Sequence, residues 1–154
     1  NNRGIHAYVD FAHTPNALES VLTNLRSKLE GKQKLIVIFG AAGLRDASKR
    51  PLMGRVAADL ADLIVLTSED PRVERAEDIA KDIIKGIPPK KRKNVTVEID
   101  RTKAIDLAIN QLAQRGDWVV ACGKGHEESM NMDGFTETPW SDHEAMQSAL
   151  EKKV

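Results

Sequence analysis

Three short runs of uninterrupted apolar residues constrain this chain most. Leu35-Ile36-Val37-Ile38-Phe39, Leu63-Ile64-Val65-Leu66 and Trp118-Val119-Val120-Ala121-Cys122 are strand-length and have no polar face. A strand that is apolar on both sides must be covered on both sides, which points to a parallel sheet between layers of helix. The intervening segments carry helical spacing. Thr14 as N-cap and Pro15 as first helical residue precede Ala17, Leu18, Val21, Leu22, Leu25 and Leu29, with Gly31 as the stop. Leu52, Met53, Val56, Ala57 and Leu60 share one face of a second helix that has Pro51 in its first turn and ends at Ala61-Asp62. Ile79, Ile83, Ile84 and Ile87 line a third, with Glu77 and Asp78 where the helix dipole favours acids, and Pro88-Pro89 breaks it. Residues 101–114 form a fourth through Ala104, Ile105, Ala108, Ile109 and Leu112, with Gly116 as C-cap. Ser141 and Glu144 make a capping box for a last helix through Met146 and Leu150. Residues 5–11 and 95–99 read as further strands, and residues 130–135, around Asp133-Gly134, as a small hairpin. Strand and helix alternate throughout. The expectation is an α/β fold: a single Rossmann-like domain with a mostly parallel sheet of five to six strands and helices on both faces.

A length of 154 residues suits one domain with one core, and 41% hydrophobic with 30% charged residues suits a globular protein. The 23 basic and 23 acidic residues cancel, so nothing calls for nucleic acid or a membrane as partner. The basic run at residues 90–93 reads as a solvated loop. One cysteine, Cys122, excludes an internal disulfide and agrees with a reducing, cytoplasmic setting. The apolar runs are too short to cross a membrane as a helix. The opening Asn1-Asn2-Arg3-Gly4 has neither an initiator methionine nor a signal-peptide pattern. The chain is therefore expected to be a domain of a longer protein.

In a parallel sheet the loops leaving the carboxyl ends of the strands open on one rim, where ligands bind. Here those loops are residues 10–14, 40–50, 68–72 and 123–127. The second holds Gly40, Gly43, Arg45, Asp46, Lys49 and Arg50 and runs into a helix amino end, whose free N–H groups favour an anion. The alternative is an ordinary strand-to-helix turn with solvated charges. Neither Gly40-x-x-Gly43 nor Gly123-x-Gly125 is the dinucleotide fingerprint, and no Gly-Lys-Ser/Thr is present, so the chain has no phosphate loop of its own. Arg45 and Arg72 are each suited to fork onto a carboxylate or phosphate, and Glu127 to receive an ammonium; each is equally at home facing water. His13 and His126 are candidates for proton transfer or metal binding, but no His/Cys/Asp spacing supports a metal site. Cys122 ends a buried strand and reads as core packing, and no Ser-His-Asp arrangement is apparent. No catalytic residue is assigned within this chain.

Taken together the loops resemble a known family. Asp10-Phe11-Ala12-His13-Thr14-Pro15, Gly43-Leu44-Arg45-Asp46 with Lys49-Arg50-Pro51-Leu52-Met53-Gly54, Thr67-Ser68-Glu69-Asp70-Pro71-Arg72 and Gly123-Lys124-Gly125-His126-Glu127 stand in order at matching intervals. This combination resembles the C-terminal domain of the Mur ligases, most closely those that add the third amino acid to the peptidoglycan precursor in the bacterial cytoplasm. The resemblance runs from about residue 5 to the last helix. It implies a ligase in which ATP phosphorylates the carboxylate of a UDP-N-acetylmuramoyl dipeptide (UDP-N-acetylmuramoyl-L-Ala-D-Glu) and the amine of the incoming amino acid displaces phosphate from the acyl phosphate. It also implies that residues 1–154 are the amino-acid-binding domain alone. The N-terminal UDP-binding domain and the central ATPase domain, with its phosphate loop, Mg2+ ligands and carbamylated lysine, are then absent, and the chain by itself is expected to be inactive. By resemblance Asp10, His13 and Lys49 face the nucleotide, with Asp10 on its ribose. Arg45, Asp70, Arg72, Gly123 and Glu127 bind the amino acid: the two arginines grip carboxylates, and Gly123 and Glu127 hold the far end. Arg72 favours a diacid, meso-diaminopimelate, over lysine. Asp70 stands where diaminopimelate-using members usually have asparagine, and an acid there repels a carboxylate unless it is protonated or set on the ammonium. The other readings are a folylpolyglutamate or cyanophycin synthetase relative, against which the Asp-Pro-Arg and Gly-Lys-Gly-His-Glu loops argue, and a stand-alone binding module without chemistry.

Overall fold

The computed structural model describes residues 3–152; Asn1 and Asn2 of the opening segment, with the last two residues, lie outside them. Five strands form one sheet: β1 (His6–Asp10), β2 (Leu35–Phe39), β3 (Leu63–Leu66), β4 (Val95–Val97) and β5 (Trp118–Cys122). Every pairing is parallel, in the order β1-β5-β2-β3-β4. Among the described residues the sheet has five strands and no sixth. The hairpin, β6 (Ser129–Asn131) with β7 (Glu137–Pro139), pairs only with itself. It is wider than the sequence suggested, because Asp133 accepts the N–H groups of Phe135 and Thr136 and so spreads the turn.

The helices are α1 (Pro15–Arg26), α2 (Lys49–Leu60), α3 (Ala76–Lys85), α4 (Arg101–Leu107) and α5 (Asp142–Glu151). The strand period of two splits the core. Leu35, Val37 and Phe39 join Leu18, Leu22, Met53 and Ile83 under α1, α2 and α3. Ile36 and Ile38 join Ile105, Ala108 and Met146 under α4 and α5 on the other face. β2 and β5 are buried along their whole length, as their unbroken apolar runs require. Each such aliphatic side chain stabilises the fold by about 1.5–3 kcal/mol.

Several boundaries move. Helix α1 ends at Arg26, capped by Ser27, and Gly31 lies beyond it in a turn at φ 59°. Leu29 keeps helical spacing only because it packs on the core from that turn. Helix α4 gives way to a wider π turn, Ala108–Leu112, closed by the Ala113 N–H on the Ala108 carbonyl. Gly116 is therefore not its cap; it turns the chain into β5 at φ 93°. The basic run forms a 3-10 segment, Pro89–Asn94, and is not a free loop: Lys91 donates to the Ala58 carbonyl and Arg92 to that of Ile87.

After β4 the chain crosses back to place β5 between β1 and β2. The exit of β5 then leads towards α5, while the exits of its neighbours lead to α1 and α2 on the opposite face. The loops between these neighbours must part, which opens a crevice at the carboxyl rim of the sheet.

Candidate functional site

That crevice is a cleft of about 500 Å3 lined from four loops. The β1 exit contributes Phe11, His13 and Thr14. The β2 exit contributes Ala42, Arg45, Asp46 and the first residue of α2, Lys49. The β3 exit contributes Glu69, Asp70 and Arg72, and the β5 exit Gly123 and Glu127. The loops are drawn tightly together. A Cβ on Gly43 would meet the Pro71 carbonyl oxygen at 1.9 Å, so only glycine allows the second and third loops to touch. Leu44, Asp70 and Arg72 are the described non-glycine residues at positive φ (54°, 42° and 54°), and all three stand in these two loops. Such backbone is held only where its surroundings over-determine it. Here the Gly43 N–H donates to the Asp70 carbonyl, the Arg72 N–H to the Asn131 carbonyl and the Arg72 guanidinium to the Gly43 carbonyl.

The charges of the cleft divide by what they touch. Arg45 is exposed, with no hydrogen bond or ion pair among the described residues. Lys49 donates to the His13 carbonyl at 2.7 Å, tying α2 to the first loop. His13 Nδ1 lies 2.9 Å from the Phe11 carbonyl oxygen, an acceptor, so that nitrogen carries the hydrogen. Asp46 accepts from the Ser48 hydroxyl and N–H, which hold its carboxyl below the usual carboxylate range. Asp10 does not line the cleft; its Oδ1 accepts the Ala12 N–H and shapes the turn below. Arg50 turns inward, 3% exposed, between Glu74 and Asp82, and serves the fold.

Three buried groups escape a reading of the sequence. Lys124, fully buried, extends its ammonium to both oxygens of Asp70 (3.0 Å each) and to Glu127 Oε2 (2.8 Å). Glu69 is 6% exposed, and burial pushes its carboxyl up to about 8 against the pull of Arg101 and Lys49. Its Oε2 has no partner among the described residues and lies 2.3 Å from where a Cβ of Gly123 would stand. Gly123 (φ 110°) is thus glycine for two reasons, backbone conformation and clearance. Beneath both, Arg101 donates to Asp142 through two nitrogens (2.7 Å each), to the Ser68 carbonyl (3.1 Å) and to the Cys122 carbonyl (2.9 Å). This pins two rim loops to α4 and α5.

Of the residues singled out in the sequence, His13, Arg45, Lys49, Asp70, Arg72, Gly123 and Glu127 meet in the cleft, and Asp10 stands behind it. Among the described residues no group of three or more His, Cys, Asp or Glu is arranged to hold a metal ion. Burial drives the Cys122 thiol far above its ordinary range, so it is inert core. No helix among the described residues is long and apolar enough to cross a membrane.

The family described as Mur ligase, glutamate ligase domain, matches residues 1–125. The UDP-N-acetylmuramoyl-L-alanyl-D-glutamate–2,6-diaminopimelate ligase of Aquifex aeolicus is 46% identical over 92% of this chain, and that of Clostridioides difficile 43% identical over 99%. The chain spans 28% and 30% of those two relatives, under a third of their length. A solved structure of a ligase with the same name superposes with a TM-score of 0.87 at 37% identity, covering 96% of this chain and 29% of that one. The fold agrees with these matches, and the chain belongs to the Mur ligase family.

Proposed function

We propose that this chain is the C-terminal, amino-acid-binding domain of an ATP-dependent ligase, a UDP-N-acetylmuramoyl-tripeptide synthetase. In this reading the ligase joins meso-diaminopimelate to UDP-N-acetylmuramoyl-L-Ala-D-Glu in cytoplasmic peptidoglycan synthesis. The observation that carries this reading is the meeting of Arg45, Arg72 and Glu127, from three separate loops, in one cleft. Within that crevice these two guanidiniums and this one carboxylate match a zwitterion that carries two carboxylates and a distal ammonium. The names of the relatives point to the same diacid. Arg45, unpartnered, and Arg72, fixed by Gly43, take the carboxylates; Glu127 takes the ammonium beside Gly123. Asp70 serves as an anchor of the subsite, since Lys124 and the Asn131 N–H already occupy its oxygens. His13, Lys49 and the amino end of α2 form the end that faces ATP, and Asp10 reaches the ribose through the oxygen that Ala12 leaves free.

The remaining domains bind the UDP moiety and the ATP phosphates. The residues described here do not suit Mg2+, which belongs with those domains. This chain contributes grip and alignment. Holding the amine against the acyl phosphate in a site closed to water raises its effective concentration and spares the intermediate from hydrolysis.

The test is amino-acid selectivity of the full-length ligase. Turnover is expected with meso-diaminopimelate well ahead of lysine and ornithine. Arg72→Ala is expected to raise the diaminopimelate KM by about 10- to 150-fold, the equivalent of a lost charge-assisted hydrogen bond. Preference for lysine, or an unchanged KM in the variant, would remove the diacid reading.

A further inference from the structure

We propose that Lys124 is the positioning residue that sets the charge of the amino-acid subsite: it neutralises Asp70 at the cleft wall and leaves Glu127, the more exposed of that acidic pair, to face the ligand, which lets a diacid in. The inference rests on the functional reading above and names the residue behind its specificity.

The geometry is a closed account of donors and acceptors. An ammonium has three hydrogens. Those of Lys124 meet Asp70 Oδ1, Asp70 Oδ2 and Glu127 Oε2 at 3.0, 3.0 and 2.8 Å. Asp70 Oδ1 also accepts the Asn131 N–H at 2.9 Å, so both oxygens of Asp70 are occupied from within. Glu127 is different: its side chain is 41% exposed, and Oε1 has no partner among the described residues. Burial alone would lower the Lys124 pKa, but its hydrogen bonds to Glu127 and Asp70 outweigh it and raise it. The cation is therefore permanent.

The consequence is a count of charge. With Lys124 in place, the trio of Lys124, Asp70 and Glu127 carries a net charge of minus one, most accessible at Glu127. Without the ammonium, two carboxylates stand side by side with no counter-charge. The subsite then repels the carboxylates that Arg45 and Arg72 attract, and a ligand with two carboxylates suffers more than one with a single carboxylate. This explains how an aspartate is tolerated at position 70. Its charge is offset by Lys124 at the wall of the cleft.

The experiment uses the full-length ligase. Lys124→Met is expected to raise the meso-diaminopimelate KM about tenfold or more, equivalent to about 1.4 kcal/mol, while the KM values for ATP and the UDP precursor stay within about twofold. Lysine, measured as a competitor, is expected to lose less affinity than diaminopimelate. Adding Asp70→Asn to Lys124→Met removes the surplus charge and is expected to bring the diaminopimelate KM back within about threefold of wild type. A structural role alone would move all three KM values together and would not be rescued by Asp70→Asn; either result overturns the inference. If Lys124→Met does not fold, the double variant decides: folded by its melting curve and still tenfold weaker for diaminopimelate, it overturns the inference as well. A wild type that does not use diaminopimelate sinks the functional reading, and the inference with it. A wild type that does, with variants that do not respond as stated, sinks the inference alone.

Discussion

At the scale of single residues, Glu69 is the group whose environment departs most from what its letter suggests. Its carboxyl titrates near 8 in the fold against an ordinary 4.5, because burial penalises the anion. The folded chain thus keeps a proton that the unfolded chain has released. The linked stability is fully present below pH 4.5 and is lost as pH rises towards 8. Glu69→Gln cannot ionise, so its unfolding free energy should lack this loss. Urea unfolding of both proteins between pH 5 and 8 should show wild type declining relative to the variant, by at most about 1.4 kcal/mol per pH unit. Histidines common to both cancel in the difference, and parallel curves would show that Glu69 is not buried as a neutral acid. Legibility divides along the same line. Arg45, Arg72 and Glu127 could be placed at the rim from sequence because they stand on loops at the carboxyl ends of strands, where the topology gathers them. Glu69 and Lys124 could not, since their character comes from burial and from partners on other loops, as Lys124 meets Asp70 54 positions away. A lysine between two glycines gives no sign that it is buried.

Among elements, strands were legible where burial alone decides them. β2 lies at the residues its apolar run marks, because a strand inside a parallel sheet needs apolar side chains throughout. The edge strands β1 and β4 came out shorter than their apolar runs, since one side of each lacks a partner. Helix ends were read less well: Gly31 and Gly116 look like caps, but each sits in the turn beyond. One signal for the hidden architecture was available. Arg101 is the first residue of α4, and a cation at a helix amino end opposes the dipole, so it needs another reason to be there. That reason is Asp142, itself the first residue of α5 and 0% exposed. The pair also gathers Ser68, Cys122 and the Trp140 indole. Arg101→Met strands a buried carboxylate and two carbonyls, and is expected to cost about 3–5 kcal/mol in urea unfolding. A loss below about 1 kcal/mol would mean that the rim does not depend on this pin.

For the whole molecule, the question is what one lobe of a ligase can do unaided. Amide formation through an acyl phosphate needs a site for the ATP phosphates, a site for the acid and an alignment of the amine with the activated carbon. On the function proposed above, the described residues serve the third. No Gly-Lys-Ser/Thr loop occurs in the sequence, and among the described residues no acid or imidazole group is arranged for a metal. The cleft is open on the side where its four loops end, so water reaches whatever it holds, and an acyl phosphate there would hydrolyse. On the function proposed above, Arg45, Arg72 and Glu127 would stabilise the amino acid in its ground state, but uniform binding of one substrate does not lower a barrier that lies in joining two. The isolated chain, given ATP, UDP-N-acetylmuramoyl-L-Ala-D-Glu and meso-diaminopimelate, should therefore release neither ADP nor tripeptide above a protein-free control, even though it is folded. Chromatography of the nucleotide and of the UDP product reads both halves of the reaction. Tripeptide formed by the chain alone would place the activating machinery within these residues and overturn the division of labour argued here. ADP release without tripeptide would do so for the phosphate site only.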